Sequence, residues 1–514
     1  MLDSPSRRRG EEAETTVPPR IWLAIATVLL LDTTAPGADD CLLDWVVAGS
    51  VADRAGRTAT CRDGTPACDA DGVTDGTCTF AARLCLNAAA CAAPPAGRVR
   101  VRGKAGVLVA GAVRELAAPA GGAACTHDAP VQVALGRHVR RRLAVRASVR
   151  DPTSGRTDRD RLRLVCERGA RAGTGGRAVV VTTNFETGLL VAVGAAAPHG
   201  VRRVDTRINA DAVVRSAGDR VYVVNRFLGD NLQVLDPTRG FATVLQCTTG
   251  AGSNPHDVAV VDAHKAYVTR YGRAQLWVVD PGAAECGGFH RGSIDLSAYA
   301  DPDGIPEMAQ MALVGGRLFV TLERLDRGQR FAPAGRAALA VIDTTTDTVT
   351  GTVELSGANA FSDASGIGRE PGTGKLLVAE VGRFFHSGDG GIERVDPFTL
   401  TAEGFLVTED ALGGDVTDFL VLSPTKGYAV VLLAENPPRN ALVAFDPSHG
   451  TLTRRLLVRP ALPDIALAPD GSLWVADASV PGPGLRFFDP ADDRPLTTGV
   501  LDVGLPPFAM AFLP

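Results

Sequence analysis

Short apolar strands recur along the last two thirds of the chain at nearly regular intervals. Typical copies read VYVVNR, LFVTL and LWVAD, and successive copies begin 43, 45, 52, 58, 52 and 45 residues apart. The seven copies begin at Ala178, Val221, Ala266, Leu318, Leu376, Tyr428 and Leu473. Runs of this length and composition predict β-strands. A repeat of about 45 residues is the length of one four-stranded propeller blade.

Two further strands accompany the repeat. One follows it and ends in Asp plus a turn residue, as in LQVLDP and LRFFDP, where proline lacks an amide donor and Asp caps the turn. Another precedes it, as in DAVVRSAG from Asp211. The first copy lacks a preceding strand, whereas the chain ends on an extra one, 505–514. The pattern therefore predicts an all-β fold, a seven-bladed β-propeller over residues 177–514. We expect the C-terminal strand to close the ring by pairing with residues 178–184.

The strands YVVN, YVTR, FVTL and WVAD, each followed by a V-x-D-P strand, resemble the YVTN repeat over about 330 residues. The resemblance implies a secreted propeller from a family that includes surface-layer proteins and lactonase-like enzymes. It also implies that the inner strand of each blade lines a central channel. The start of that strand and the end of the next one would then meet at one channel mouth.

This register nominates a set of candidate ligand-binding residues at the mouth. The inner-strand starts give Asp211, His256, Asp257, Glu307, Asp363, Asp418 and Asp464, and the following strand ends give Asn225, Arg270, Glu380 and Asp477. Clustered carboxylates favour a hard cation such as calcium, or a basic ligand. The alternative is that these acidic residues only satisfy turn amides. A lone histidine such as His256 is more often structural than catalytic.

Six cysteines between Cys41 and Cys91 predict a disulfide-rich module over residues 39–95, because the spacing lacks the Cys-x2-Cys knuckles of zinc sites. Within it, Asp69, Asp71 and Asp75 resemble a short calcium loop. Phe80 occupies the place where a complete loop has its bidentate glutamate, so a disulfide-braced polar turn is the alternative.

Residues 96–172 contain short alternating apolar runs that predict a small β-domain. We expect a Cys125–Cys166 disulfide within this domain and a Cys247–Cys286 disulfide within the propeller. The stretch 41–170 resembles an N-terminal region of secreted proteins of soil deltaproteobacteria, through CRDGTPACDADGVTDGTCTF, LCLN and TDRDRLRLVC. That resemblance implies no activity.

The N-terminus predicts export. Residues 21–31 form an apolar run behind Arg20 that is too short to span a bilayer and fits a signal peptide over residues 1–38; a buried strand or helix is the alternative. The formal net charge is −5, and the two Arg-rich runs lack neighbouring aromatics, which argues against nucleic-acid binding.

The sequence therefore predicts a secreted, periplasmic or cell-surface protein with no transmembrane segment in the mature chain. We expect it to act as a binding or scaffold protein whose channel mouth takes a small molecule, a cell-surface component or a protein. The alternative is a metal-assisted hydrolase or lyase of the lactonase-like propeller type, with His256 or Glu307 carrying a proton. Serine-hydrolase, zincin and Walker motifs do not occur in the sequence.

Overall fold

The computed structural model describes residues 43–47, 51–52, 58–62, 77–86, 97–100, 113–116, 124–125, 129–134, 140–150, 157–167, 176–361 and 366–513. The N-terminal strands are β1 Leu43–Val47, β2 Val51–Ala52, β3 Thr58–Arg62, β4 Thr77–Leu86, β5 Gly97–Arg100, β6 Val113–Leu116, β7 Ala124–Cys125, β8 Ala129–Ala134, β9 Arg140–Arg150 and β10 Thr157–Glu167. They form one sheet of β1, β4, β7 and β8, a second of β2, β3, β10 and β9, and a β5–β6 pair. Strands from both sides of the predicted boundary at residue 95 therefore share sheets.

The predicted Cys125–Cys166 disulfide is wrong. Cys166 is bonded to Cys78, with 5.7 Å between the Cα atoms. The backbone of Cys125 instead lies opposite Cys85 in β4. Cys85 is seven residues from Cys78, or about 24 Å along an extended strand. The register of β7 on β4 therefore places Cys125 far from the bridge.

Residues 176–361 and 366–513 form seven four-stranded antiparallel blades. The strands of blades 1 to 3 are β11 Arg177–Thr183, β12 Gly188–Gly194, β13 Val201–Ile208; β14 Ala212–Ala217, β15 Arg220–Asn225, β16 Asn231–Asp236, β17 Ala242–Thr248; β18 Val258–Asp262, β19 Lys265–Val268, β20 Gln275–Val279 and β21 His290–Asp295. Those of blades 4 and 5 are β22 Met308–Val314, β23 Arg317–Leu322, the small inserted hairpin β24 Leu325–Asp326 and β25 Ala332–Pro333, β26 Ala338–Asp343, β27 Thr348–Glu354; β28 Gly368–Arg369, β29 Leu376–Glu380, β30 Gly391–Asp396 and β31 Thr401–Thr408.

Blades 6 and 7 and the closing strand complete the ring. Their strands are β32 Asp415–Ser423, β33 Lys426–Leu433, β34 Arg439–Asp446, β35 Thr451–Arg459; β36 Asp464–Leu467, β37 Leu473–Asp477, β38 Gly484–Asp489, β39 Arg494–Pro495; and β40 Pro507–Leu513. One α-helical turn, α1 Glu409–Leu412, joins blades 5 and 6. Among the described residues, no helix is long and apolar enough to cross a membrane.

The C-terminal strand closes the ring as the sequence predicts. β40 pairs antiparallel with β11, from Arg177 opposite Leu513 to Thr182 opposite Pro507. Met510 is buried against blade 7, while Phe512 is half-buried and meets Trp474 edge to face at 5.1 Å. Blade 1 thus takes one strand from the C-terminal end and three from the start of the propeller, which leaves no open sheet edge at the channel.

Apolar cores fill every junction between neighbouring blades. One cluster spans blades 1 to 3, and others join blades 3 and 4, 4 and 5, 5 and 6, 6 and 7, and 7 and 1. The alternating pattern of each strand predicts this, because its two faces meet two different neighbouring blades. The predicted Cys247–Cys286 disulfide is also confirmed, with 5.4 Å between Cα atoms, and it joins blades 2 and 3.

The turns between the third and fourth strands share one cap, and we call their side of the ring the turn face. In six blades the aspartate that ends the third strand accepts the amide two residues on, at 2.8–2.9 Å. These aspartates are Asp236, Asp280, Asp343, Asp396, Asp446 and Asp489. The prediction that Asp caps these turns is confirmed.

Candidate functional site

The opposite side of the ring carries the loops between the second and third strands and the starts of the inner strands. We call it the mouth face. Its second-to-third-strand loops are residues 184–187, 226–230, 269–274, 323–337, 381–390, 434–438 and 478–483. Because every blade has the same strand order, these loops all emerge on one side. The described candidate residues nominated from the sequence lie on this side.

Three of the nominated carboxylates join neighbouring inner strands. Asp257 accepts the amide of Met311 at 2.9 Å, Asp418 that of Ile465 at 2.8 Å, and Asp464 that of Met510 at 2.6 Å. All three are buried, at 0–2% exposure. Each therefore ties one blade to the next, as a structural hydrogen bond across the ring.

Arginines neutralise most of the other nominated acids. Arg226 pairs with Asp211 and Arg327 with Glu307, through Nε contacts of 2.9 and 2.8 Å. Arg215 likewise reaches Asp257 at 2.8 Å, although burial still raises the pKa of that carboxyl.

Asp477 lies between two arginines, Arg459 at 2.9 Å and Arg486 at 2.7 Å. Asp363 falls outside the described residues, as do Asp69, Asp71 and Asp75 of the predicted calcium loop. Within the described part of the chain, no group of three or more His, Cys, Asp or Glu side chains could hold a metal ion. Calcium thus stays a prediction for residues 69–75.

Asn225 and Arg270 serve the local fold. Asn225 accepts the amide of Asn209 at 2.7 Å and donates to Asn231 at 2.8 Å. Arg270 donates to the carbonyl of Thr249 at 2.8 Å and stacks over Trp277, with 4.4 Å from the guanidinium carbon to the ring centre. Both groups are buried and occupied, so neither is available to a ligand in this state.

The mouth ends of blades 3 and 4 form a connected polar cluster. The rings of His256 and Tyr271 stack at 4.1 Å, and the Tyr271 hydroxyl donates to Glu323 at 2.9 Å. Arg327 donates both to Glu307 and to the carbonyl of Tyr271, the latter at 2.9 Å. The cluster thus brings together His256 and Glu307, the two proton carriers considered from the sequence, through Tyr271 and Arg327.

Burial sets the protonation of this cluster. It raises the pKa of Glu307 to about 7 and that of Glu323 to about 8. Burial, with a contribution from Arg226, lowers the pKa of His256 well below its usual value. Both carboxyls hold protons at weakly acidic pH while the imidazole stays neutral. These two carboxyls can donate or accept a proton near neutral pH.

Sequence register missed Glu323. The strand β23 ends at Leu322, and a bulge between Met308 and Met311 shifts its pairing with the inner strand. Glu323 is the first polar residue after LFVTL. That position at the end of the strand is the only feature of the sequence that could have identified it as a mouth residue.

A second buried acidic group lies between blades 5 and 6. Burial, then the neighbouring Glu393 carboxyl, raises the pKa of Glu380 well above its usual value, and burial raises that of Glu409 to about 9. Ser356 donates its hydroxyl to Glu393 at 2.5 Å, and the amide of Val416 donates to Glu409 at 2.7 Å. Glu393 and Glu409 were not foreseen, because their approach to Glu380 depends on how blade 5 meets α1.

Large exposed apolar side chains concentrate at the tips of the mouth face. Of the twelve most exposed in the described residues, seven lie on its second-to-third-strand loops. We call these seven the apolar tips: Phe185, Phe227, Leu228, Phe331, Phe384, Phe385 and Val480. They come from blades 1, 2, 4, 5 and 7, and exposure reaches 81% at Leu228 and 75% at Val480. Isolated exposed apolar residues need no explanation, but the concentration of seven of the twelve on the loops of one face indicates an interaction surface.

A cavity of about 550 Å³ also opens on blade 1. Residues 186–189 line one wall and residues 203–208 the other, with charged groups from Glu186, Arg203, Asp205 and Arg207. It lies along the outer strand β13 rather than at the channel, so none of the nominated mouth residues lines it.

No protein-family model matches the chain, and no curated protein sequence matches it. Solved structures do resemble it. A candidate 6-phosphogluconolactonase from Bacteroides fragilis aligns with a TM-score of 0.46 at 16% identity, over 67% of this chain and 99% of its own. One from Bacteroides uniformis gives 0.46 at 17%, over 66% and 100%. A streptogramin B lyase gives 0.36 at 13%, over 59% and 90%. At these values the likeness concerns the fold and transfers no activity.

Proposed function

We propose that the chain is an extracytoplasmic binding or scaffold protein that holds its partner against the mouth face. The observation that carries this proposal is the set of apolar tips on one side of the ring. A solvent-exposed cluster of this kind is costly for a protein that binds nothing there, because it promotes non-specific association. The disulfides Cys78–Cys166 and Cys247–Cys286 support an oxidising compartment.

The nominated acidic ring does not support a cation-binding mouth. Asp211, Asp257, Glu307 and Asp477 each accept from arginine, while Asp418 and Asp464 accept backbone amides. A ligand at this face would therefore meet none of these six carboxylates without a partner.

Site-specific photocrosslinking in the native host tests the proposal. A benzophenone amino acid replaces Phe227 or Phe331 at the mouth face, or Leu467, which is similarly exposed near the opposite end of an inner strand. We expect ultraviolet-dependent adducts from the two mouth positions and none from Leu467. Equal adducts at all three positions, or none at the mouth from a folded and exported protein, would refute a mouth-face partner.

The second candidate function is a hydrolase or lyase, favoured by the cluster of His256, Tyr271, Glu307 and Glu323. A carboxyl with a pKa of about 7 or 8 suits general acid–base catalysis at neutral pH. The described residues do not offer three converging metal ligands, so this candidate rests on proton transfer.

A screen of lactones and esters as a function of pH tests this candidate. Any activity should fall at least tenfold in E307Q and E323Q and keep its value in E285Q, which alters an exposed carboxyl. Activity that is unchanged in both E307Q and E323Q would show that these residues take no part in the reaction.

A further inference from the structure

We propose that the apolar tips dock on an anionic phospholipid surface. This inference rests on the proposed function, because it names the partner of the same face. Phe185, Phe227 with Leu228, Phe331, Phe384 with Phe385, and Val480 project from five separate loops around the ring. Groups spread over one side of a disc match a flat partner, whereas a peptide or small ligand requires a continuous groove.

The residues beside the tips suit the headgroup region. Arginine precedes the aromatic tip in three blades, as Arg226-Phe227, Arg330-Phe331 and Arg383-Phe384. Arg330 and Arg383 are exposed, and neither forms an ion pair within the described residues. A phenylalanine that enters the acyl boundary would place its neighbouring guanidinium at the level of the phosphates.

Acidic residues on the same face are mostly engaged within the loops. Asp389 accepts the amide of Arg383, and Asp410 accepts the hydroxyl of Ser387 at 2.9 Å. Asp303 lies 3.9 Å from Arg327. Glu186, beside Phe185 in blade 1, remains exposed. The loop 323–337 of blade 4 carries four arginines against two acidic residues, whereas Asp389 balances Arg383 in the loop of blade 5. The surplus of positive charge among the tip-bearing loops therefore lies at blade 4, and we expect that side of the disc to approach the membrane first.

Backbone conformation provides independent support. Phe185, Leu228, Phe331 and Phe385 all have positive φ, between 60° and 68°. This left-handed region is unfavourable for bulky side chains and costs about 1–2 kcal/mol per residue. Phe241 on the turn face has φ of 67°, but its ring is fully buried. On the mouth face the same unfavourable conformation leaves the four apolar side chains between 49% and 81% exposed.

Vesicle co-sedimentation of the full mature chain tests the inference. The probes are vesicles of phosphatidylglycerol and phosphatidylcholine in equal parts, and of phosphatidylcholine alone. We expect at least tenfold stronger binding to the anionic vesicles. The variant F227S/L228S/F331S/F385S should lose at least tenfold in that binding, while L452S/L467S on the opposite side should bind like the parent. R330Q/R383Q should bind more weakly and with a smaller dependence on salt.

Four outcomes would overturn the lipid partner. Equal binding by parent and quadruple serine variant would place any contact elsewhere. Failure to bind vesicles, together with self-association that the serine variant abolishes, would make a second copy of the chain the partner. Failure to bind vesicles, together with protein adducts in the crosslinking experiment, would leave the mouth face as a docking surface for a protein. Absence of both vesicle binding and mouth adducts would remove the proposed function as well.

Discussion

The turn aspartates of one face and the buried glutamates of the other have pKa values that are shifted in opposite directions. On the turn face, the hydroxyl of Thr238 lowers the pKa of Asp236, and that of Ser448 lowers the pKa of Asp446 to about 2. On the mouth face, burial raises the pKa of Glu323 to about 8. The turn aspartates accept several amide and hydroxyl hydrogens, which favours the ionised form. The mouth glutamates are removed from water with fewer donors, which favours the protonated form.

The faces also differ in how closely the blades repeat. Six blades share one aspartate-capped turn on the turn face, whereas the mouth-face loops range from the four residues of 184–187 to the fifteen of 323–337. Repetition on one side defines the fold, and variation on the other is where binding residues commonly occur. We therefore infer that the turns and inner strands stabilise the fold and that the mouth loops contact partners.

Removal of the closing strand should have the largest effect. A chain that ends at Gly504 loses β40 and exposes the edge of β11. Burial of a side chain such as Met510 contributes roughly 1.5–3 kcal/mol, and β40 contributes several apolar side chains to a total stability of about 5–15 kcal/mol. We expect aggregation or degradation in place of a soluble product. A chain that lacks only Pro514 is the control. A protein that ends at Gly504 and melts at the parent temperature would show that the ring does not need β40 for closure.

Removal of the inter-blade disulfide should have the next largest effect. Cys247 and Cys286 are 39 residues apart, and the loop-entropy model gives about 3–4 kcal/mol for such a bridge. C247S/C286S should unfold at a lower urea midpoint, and its free energy of unfolding should be lower than that of the parent by that amount. Both proteins are measured without reducing agent, because reduction would also break the Cys78–Cys166 disulfide. Identical midpoints for variant and parent would mean that blades 2 and 3 gain no stability from the bridge.

Apart from the Cys247–Cys286 disulfide, the confirmed features are those that the sequence encodes in a local pattern. Each Asp-Pro turn is read from two adjacent residues, and β40 is identified because one blade lacks an inner strand. The Arg215–Asp257 pair joins residues 42 apart in sequence, and the Cys78–Cys166 bridge spans 88. Such partners depend on the register of strands in different sheets or blades, which composition does not encode. The nominated acids that the structure describes therefore lie on the mouth face, whereas their arginine and amide partners were not predicted.

Alkaline pH should destabilise the mouth face. Glu323 has a folded-state pKa of about 8 against 4.5 for an ordinary glutamate, so the folded state binds the extra proton. Stability is therefore greatest below pH 4.5 for this group, and declines as pH rises from there through about 8. We expect the parent melting temperature to fall by several degrees over this range. E323Q should flatten the decline in part, because Glu307 and Glu409 still titrate.

The control for this experiment is E285Q, which changes an exposed glutamate on the connection between β20 and β21. Its melting curve should follow the parent at every pH. A decline in E323Q as steep as in the parent would show that the buried glutamate of blade 4 does not couple proton binding to folding.

Substitution of an apolar tip should have the smallest effect on stability. A comparison of two phenylalanines with the same backbone conformation separates the contribution of the backbone from that of side-chain burial. Phe331 and Phe241 have φ of 60° and 67°, but Phe331 is 51% exposed whereas Phe241 is fully buried. Glycine relieves the unfavourable conformation at both positions and adds freedom to the unfolded chain, so these two backbone effects nearly cancel. F331G should therefore change the free energy of unfolding by no more than about 0.5 kcal/mol. F241G also loses the packing of a buried ring, which costs about 3–5 kcal/mol. Urea denaturation of both variants measures the difference, and a large loss in F331G would mean that the tip supports the fold and is not held outward for a partner.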